Sequence, residues 1–259
     1  MRLALIPPFS ILHYTHLTDY QLMLPQLVGN EHYELTYKLH CKNPGTYVIL
    51  DNGAAEGHQV TTWDLTNIAV EFDVDEIVIP DVIGDEGATR EESIRFINEL
   101  MAIDHNMLDD FEFMYVCQGQ SIEEFVQSAA YANTLDFVRT IGVPRHALTT
   151  CRNKLARIFI ANYLQQSKQF RKDIHFLGSN AVWAAEANYL SDNALCNQEH
   201  VRGMDTSMPF NYAYVGALLQ REIEPVYRPE DYFELPSESF KISDLDHNTS
   251  ILKKWARYR

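Results

Sequence analysis

The sequence predicts an α/β protein folded as a (β/α)8 barrel of the TIM type, with one strand irregular. Three observations point there. Short apolar runs alternate with helically spaced segments along the chain, and strand–helix repetition of this kind calls for parallel pairing. The runs are β-branched or aromatic and lack clean alternation, as expected of strands buried on both faces. The 259 residues also match the roughly 250 that such a barrel needs.

In chain order, strands are expected at 3–6, 47–51, 76–81, 113–118, 137–142, 174–178 and 201–205. Helical spacing over 89–103 sets Ile94, Ile97 and Met101 on one face. Residues 121–133 open with Ser121 and Glu124, a capping box. Residues 155–164 carry Leu155, Ile158, Phe159 and Tyr163 at helical spacing. Helices over 181–190 and 212–219 complete the set. An eighth strand is expected near 225–227, or as an irregular element. Residues 228–246 are polar and Pro-interrupted and read as a C-terminal wrap. No repeat, low-complexity segment or linker interrupts the chain, which reads as a single domain, 1–259, with 228–259 as its extension.

Composition fits a globular protein, with 46% hydrophobic residues, 11 Gly and 10 Pro. No apolar run approaches the roughly 18 residues of a membrane span. The opening MRLALIPPFS has one Arg and a short apolar stretch broken by Pro7 and Pro8, so it reads as a first strand and not a signal peptide. A cytoplasmic protein with no membrane partner is expected. Cys41, Cys117, Cys151 and Cys196 are scattered, with neither a disulfide framework nor the spacing of a zinc site, so no metal is expected.

The net charge of -15 argues at first against a nucleic-acid partner. Its distribution argues otherwise. Residues 137–172 contain no Asp or Glu and eight basic residues, and the last seven residues add four more. Elsewhere 9 basic residues face 36 acidic ones. A basic surface on an acidic body suits phosphate binding, with Arg145, Arg152, Lys154, Arg157, Lys253 and Lys254 as candidates.

In a (β/α)8 barrel the active site lies at the C-terminal ends of the strands. Those ends carry Asp51-Asn52-Gly53, Pro80-Asp81, Gln118-Gly119, Gly142-Val143-Pro144, Leu177-Gly178-Ser179 and Asp205. Any one such Asp is ordinarily a turn or cap residue. Six aligned ends of compatible chemistry are harder to dismiss. Carboxylates accept from ring N–H and amino groups, an amide donates to a carbonyl, and glycine admits a flat ring. Such a mouth suits a purine-like base. Two carboxylates flanking an anomeric carbon are also the equipment of retaining glycosyl transfer.

The ordered series VILDNGAAEG (48–57), IVIPD (77–81), YVCQGQ (115–120), RTIGVP (139–144), HFLGSN (175–180) and RGMDTSMP (202–209) resembles the motifs of tRNA-guanine transglycosylases. It is most similar to the shorter viral relatives that insert 7-deazaguanine bases into DNA. The resemblance implies base exchange, with guanine leaving DNA and a 7-deazaguanine entering, in the host cytoplasm for a viral chain, with no cofactor. It implies Asp205 as nucleophile at C1′ and Asp51 as acid/base. Asn52 and Asp81 would bind the base edge, Gln118 and the Gly142 N–H its carbonyl, with Leu177 on one face and Gly178 leaving room. Two features depart from the family. Ala55 stands where an aromatic residue would stack on the base, and no Cys follows Cys196, so the Cys-rich zinc motif is missing. The second departure favours DNA over tRNA. Competing expectations are a zinc-free tRNA enzyme, a nucleoside or glycoside hydrolase, and a non-catalytic nucleic-acid-binding barrel.

Overall fold

The computed structural model describes residues 1–58, 60–167, 169–179, 186, 201–220 and 224–256. Among these residues eight parallel strands form one sheet: β1 (Arg2–Leu5), β2 (Tyr20–Met23), β3 (Tyr47–Leu50), β4 (Glu76–Val78), β5 (Glu112–Val116), β6 (Val138–Pro144), β7 (Asp173–Leu177) and β8 (Val201–Thr206). The ladder runs β1-β8-β7-β6-β5-β4-β3-β2. Its two ends, β1 and β2, lie side by side without ladder pairing, so the sheet closes on itself. Arg2 ties this seam, donating to the Asp19 carbonyl at 2.7 Å. Helices between the strands and after the last one complete a (β/α)8 barrel: α1 (Glu31–Cys41), α2 (Thr62–Phe72), α3 (Glu86–Ile103), α4 (Met107–Asp110), α5 (Ile122–Asn133), α6 (Ala147–Thr150), α7 (Ala156–Gln166), α8 (Met208–Tyr214) and α9 (Ile242–Trp255).

The alternation of strand side chains divides the core in two. Ala4, Ile6, Tyr20, Leu22, Leu24, Ile49, Val78, Met114 and Val116 fill the barrel interior. The intervening residues, such as Leu5, Leu50, Ile77, Phe113, Ile141, Phe176 and Met204, pack against the helices. Both faces are therefore dry, which is why the sequence shows no polar–apolar alternation.

Several expectations need correction. The irregular strand is β2, between the first two expected strands, and not 225–227. Its brevity and its Gln21 disguise it: the Gln21 amide is buried and donates to the carbonyls of Thr15 and Thr18, at 3.0 and 2.8 Å. The helix expected at 212–219 lies at Met208–Tyr214. The C-terminal wrap ends in a full helix, α9, docked by Asn248. That residue accepts from the Leu219 amide at 2.7 Å and donates to the Pro209 and Ala217 carbonyls. Ile94, Phe159 and Tyr163 are exposed, while Phe96, Leu100, Ile160 and Leu164 turn inward. The Ser121 hydroxyl caps α5 as expected, but Glu124 bonds the Gln120 amide in place of its own cap residue. Of the helix expected over 181–190, only Glu186 lies within the described residues.

The lower barrel interior holds charge. Arg202 pairs with the buried Glu76 and donates to the hydroxyls of Tyr20 and Tyr47 at 3.2 and 3.1 Å. Tyr20 reaches into this layer because Gly203 has no side chain: a Cβ there would stand 2.5 Å from the ring. Gly203→Ala should therefore cost about 1–3 kcal/mol by urea denaturation, as overpacking of a filled core does. An unchanged midpoint would show that the ring has room to move.

Candidate active site

β3 runs directly into Asp51, whose amide makes a last ladder bond to the Met23 carbonyl at 2.8 Å. That bond fixes the backbone and leaves the carboxyl at the C-terminal mouth. The chain then turns, and the Gly53 amide donates to Asp51 Oδ2 at 3.3 Å. Asp51 is buried, and its pKa is pushed up to about 8. Burial is the main cause, followed by the charges of Glu56, Asp205 and Asp81. Burial thus favours the protonated form of this carboxyl.

Asn52 works sideways. Its amide donates to the Ile79 carbonyl at 2.8 Å and to Asp81 Oδ1 at 2.7 Å, and its oxygen accepts from the Ala54 amide at 2.9 Å. Asp81, just beyond β4, also accepts from Gln118 on its other oxygen. Burial raises the Asp81 pKa to about 6, against the opposing pull of these two amides. Gln118 in turn accepts from the Gly84 amide at 2.9 Å. Asn52 and Gln118 thus clamp Asp81 from two sides.

Asp205 is the penultimate residue of β8, paired in register with Ala4, and is buried. Its Oδ1 accepts from the Gly178 amide at 2.8 Å and faces His175 Nε2 at 3.2 Å. Gly178 turns at φ +69°, a left-handed conformation that glycine enters without steric cost. The turn aims its amide inward and its carbonyl at Arg157, which donates to it at 2.7 Å. Leu177 closes the top of the interior apolar layer.

The structure therefore brings Asp51, Asn52, Asp81, Gln118, Leu177, Gly178 and Asp205 to one mouth. Gly142 is a correction. β6 continues to Pro144, so Gly142 lies inside the strand, paired in register with Val116 and His175. What it supplies is space: a Cβ would stand 2.9 Å from Leu177 Cδ1 and 3.1 Å from Met114 Sδ.

The basic candidates divide three ways. Arg145, Arg152 and Lys154 are exposed in the segment after β6, on the same side as the mouth. Arg157 is not a surface cation. It is 0% exposed, forms a two-bond pair with Glu186 at 2.9 and 2.6 Å, and reaches the Leu177 carbonyl at 3.1 Å. Lys253 and Lys254 end α9 on the opposite side, where Lys253 donates to the Leu17 carbonyl at 2.8 Å, just before β2 begins. They do not flank the mouth.

Sequence reasoning missed four residues here. His175 lies within HFLGSN but carries no signal of its own. Tyr20 lies on the unrecognised strand. Arg228 and Phe233 come from the C-terminal wrap. Arg228 pairs with Glu56 at 3.1 Å, and Phe233 packs over the interior layer. Among the described residues no three His, Cys, Asp or Glu side chains converge as a metal ion would require. No described helix is long and apolar enough to cross a membrane.

The fold class is thus a (β/α)8 barrel with a carboxylate-lined mouth. No family model matches the chain, and no curated protein matches it in sequence. Among solved structures it is similar to an enolase from Pseudomonas fluorescens Pf0-1, determined with bound magnesium, potassium and tartrate, at 13% identity and a TM-score of 0.50. The match covers 96% of this chain and 54% of the enolase, so the chain spans about half that protein's length. At this identity the likeness is one of fold.

Asp51 gives the site a thermodynamic signature. A carboxyl whose folded pKa exceeds its unfolded value stabilises fully below the unfolded value and loses that contribution as pH rises through the folded one. For Asp51 the window runs from 3.8 to about 8. Asp51→Asn removes this dependence. The Tm of the variant relative to wild type should climb across the window and level off above it. A difference that is flat across the window would mean that Asp51 titrates as an ordinary carboxyl.

Proposed function

We propose that this protein is a base-exchange glycosyltransferase that replaces guanine in DNA by a 7-deazaguanine derivative. The observation that carries the reading is the pairing of two buried carboxyl groups at one mouth, Asp51 pushed up to a pKa of about 8 by burial and Asp205 held on one oxygen by its neighbours. A carboxyl that burial favours in its protonated form is equipped to act as acid, and one held by donors on a single oxygen keeps the other for attack. The ordered motifs from Val48 to Pro209 support the same reading.

The steps balance without a cofactor. A guanine nucleotide leaves the stack, at a cost of a few kcal/mol in a duplex. Asp205 attacks C1′, the glycosidic bond breaks, and Asp51 gives its proton to the departing guanine. The product is a glycosyl ester on Asp205. The entering 7-deazaguanine loses a proton to Asp51 and attacks C1′, which releases the Asp205 carboxylate. Asp81, clamped by Asn52 and Gln118, receives the N–H edge of either base. The apolar surface under the ring comes from Leu177, and Phe233 of the C-terminal wrap stands in for the aromatic that Ala55 lacks. Arg145, Arg152 and Lys154 take the phosphates. DNA is favoured over tRNA because the Cys-rich motif of the tRNA enzymes is missing. The reaction would take place in the cytoplasm, that of the host for a viral protein.

Labelled 7-deazaguanine should enter DNA in preference to tRNA when both are offered. Asp205→Asn should abolish both exchange and any denaturation-resistant protein–DNA adduct. Asp51→Asn should lose about 10²–10⁴-fold in rate, the usual worth of acid–base assistance. It should still trap an adduct when the leaving base is good. Full activity in either variant removes that residue from the mechanism, base release without incorporation makes the protein a hydrolase, and binding with neither makes it a non-catalytic barrel.

A further inference from the structure

The deepest polar residues of the barrel form a directional hydrogen-bond column that ends on Asp205. Arg202 Nε lies 3.2 Å from the Tyr20 hydroxyl, which lies 2.8 Å from His175 Nδ1. His175 Nε2 lies 3.2 Å from Asp205 Oδ1. Tyr20 and His175 are wholly buried, and Arg202 pairs with the buried Glu76.

The proton positions follow by elimination. A guanidinium only donates, so the Tyr20 oxygen accepts from Arg202. Burial raises the Tyr20 pKa, so the hydroxyl keeps its one proton. Among the described residues the acceptor within its reach is His175 Nδ1, which therefore carries no proton. Burial also lowers the His175 pKa, with Asp205 opposing, so the ring is neutral. Its single proton therefore sits on Nε2 and faces Asp205.

We propose that His175 is a positioning residue for the nucleophile: Tyr20 fixes it as the Nε2–H tautomer, and it holds Asp205 Oδ1 so that Oδ2 faces the sugar. The inference rests on the base-exchange reading and deepens it. The Gly178 amide and His175 both bind Oδ1, and among the described residues no donor is found on Oδ2. Oδ2, which neither of these donors occupies, is the oxygen left to attack C1′. Once the ester forms, Oδ1 is its carbonyl oxygen and keeps both donors. Their hydrogen bonds strengthen as the C1′–O bond breaks and negative charge returns to the carboxylate. Gly203 belongs to the device, since only a bare Cα there lets the Tyr20 ring reach His175.

The test uses the full chain with a guanine-containing oligonucleotide and labelled 7-deazaguanine. His175→Phe keeps a ring but removes the donor. It should lower kcat and the rate of adduct formation about 10- to 100-fold, the worth of a hydrogen bond to a charged group, with KM for DNA unchanged. His175→Gln, which restores an N–H donor near the Nε2 position, should recover most of the loss. A folded His175→Phe variant with wild-type kcat overturns the proposal. Nitrogen NMR of the wild-type imidazole provides an arm that needs no activity. It should show a neutral Nε2–H ring whose Nε2 resonance moves in Asp205→Asn and whose Nδ1 resonance moves in Tyr20→Phe as it loses the hydroxyl. A wild-type Nδ1–H ring overturns the proposal even if His175→Phe fails to fold. Absence of exchange by the wild-type chain, with the expected NMR pattern intact, contradicts the base-exchange reading and leaves the hydrogen-bond column standing.

Discussion

Burying Asp51 within electrostatic reach of Asp205 and Asp81 is the constraint around which the mouth is organised. Charged carboxylates in a water-poor site repel one another, and each must be protonated or hydrogen-bonded to remain. The barrel treats the three differently. Asp51, which among the described residues has the Gly53 amide alone on its oxygens, is pushed by burial to a pKa of about 8. Asp81 is clamped by two carboxamides. Asp205 is held on one oxygen by the Gly178 amide and His175. One backbone architecture thus gives three carboxyl groups three environments, and the proposed division into acid, base-edge acceptor and nucleophile follows from that difference.

The supports come from deeper in the molecule. Arg157 donates to the carbonyls of Leu177 and Gly178, steadying the turn that aims the Gly178 amide at Asp205. Its charge is balanced by Glu186, so it serves the site without touching the mouth. Removing one partner of such a buried pair leaves an uncompensated charge, which makes Arg157 a poor choice for probing DNA contacts. The wrap after β8 contributes from above: Tyr232 donates to the Ile6 carbonyl, bringing the neighbouring Phe233 over the interior layer.

The strand-end residues were legible in the sequence for a simple reason. Parallel strands set all their C-terminal ends on one side, so Asp51, Asp81, Gln118, Gly178 and Asp205 needed only correct strand assignments to converge. Gly142 shows how fragile the inference is, because two more strand residues carried it from the mouth into the wall. Arg157 was misread because its partner lies 29 residues away, and a charge count cannot see a buried pair. Lys253 and Lys254 were misplaced because the direction of α9 depends on Asn248 and on Tyr14, which donates to Asp246, and not on the basic residues themselves. Tyr20 and His175 were invisible as a pair, since their contact spans 155 positions and needs the gap at Gly203.

The central claim is that Asp51 carries its proton at neutral pH beside Asp205. Infrared difference spectra of wild type minus Asp51→Asn, recorded across pH 3 to 10, test it most directly. The account predicts a protonated-carboxyl stretch that is absent from the variant, persists through neutral pH and disappears around pH 8. A band that disappears near 3.8, the ordinary value for an aspartate, would contradict it.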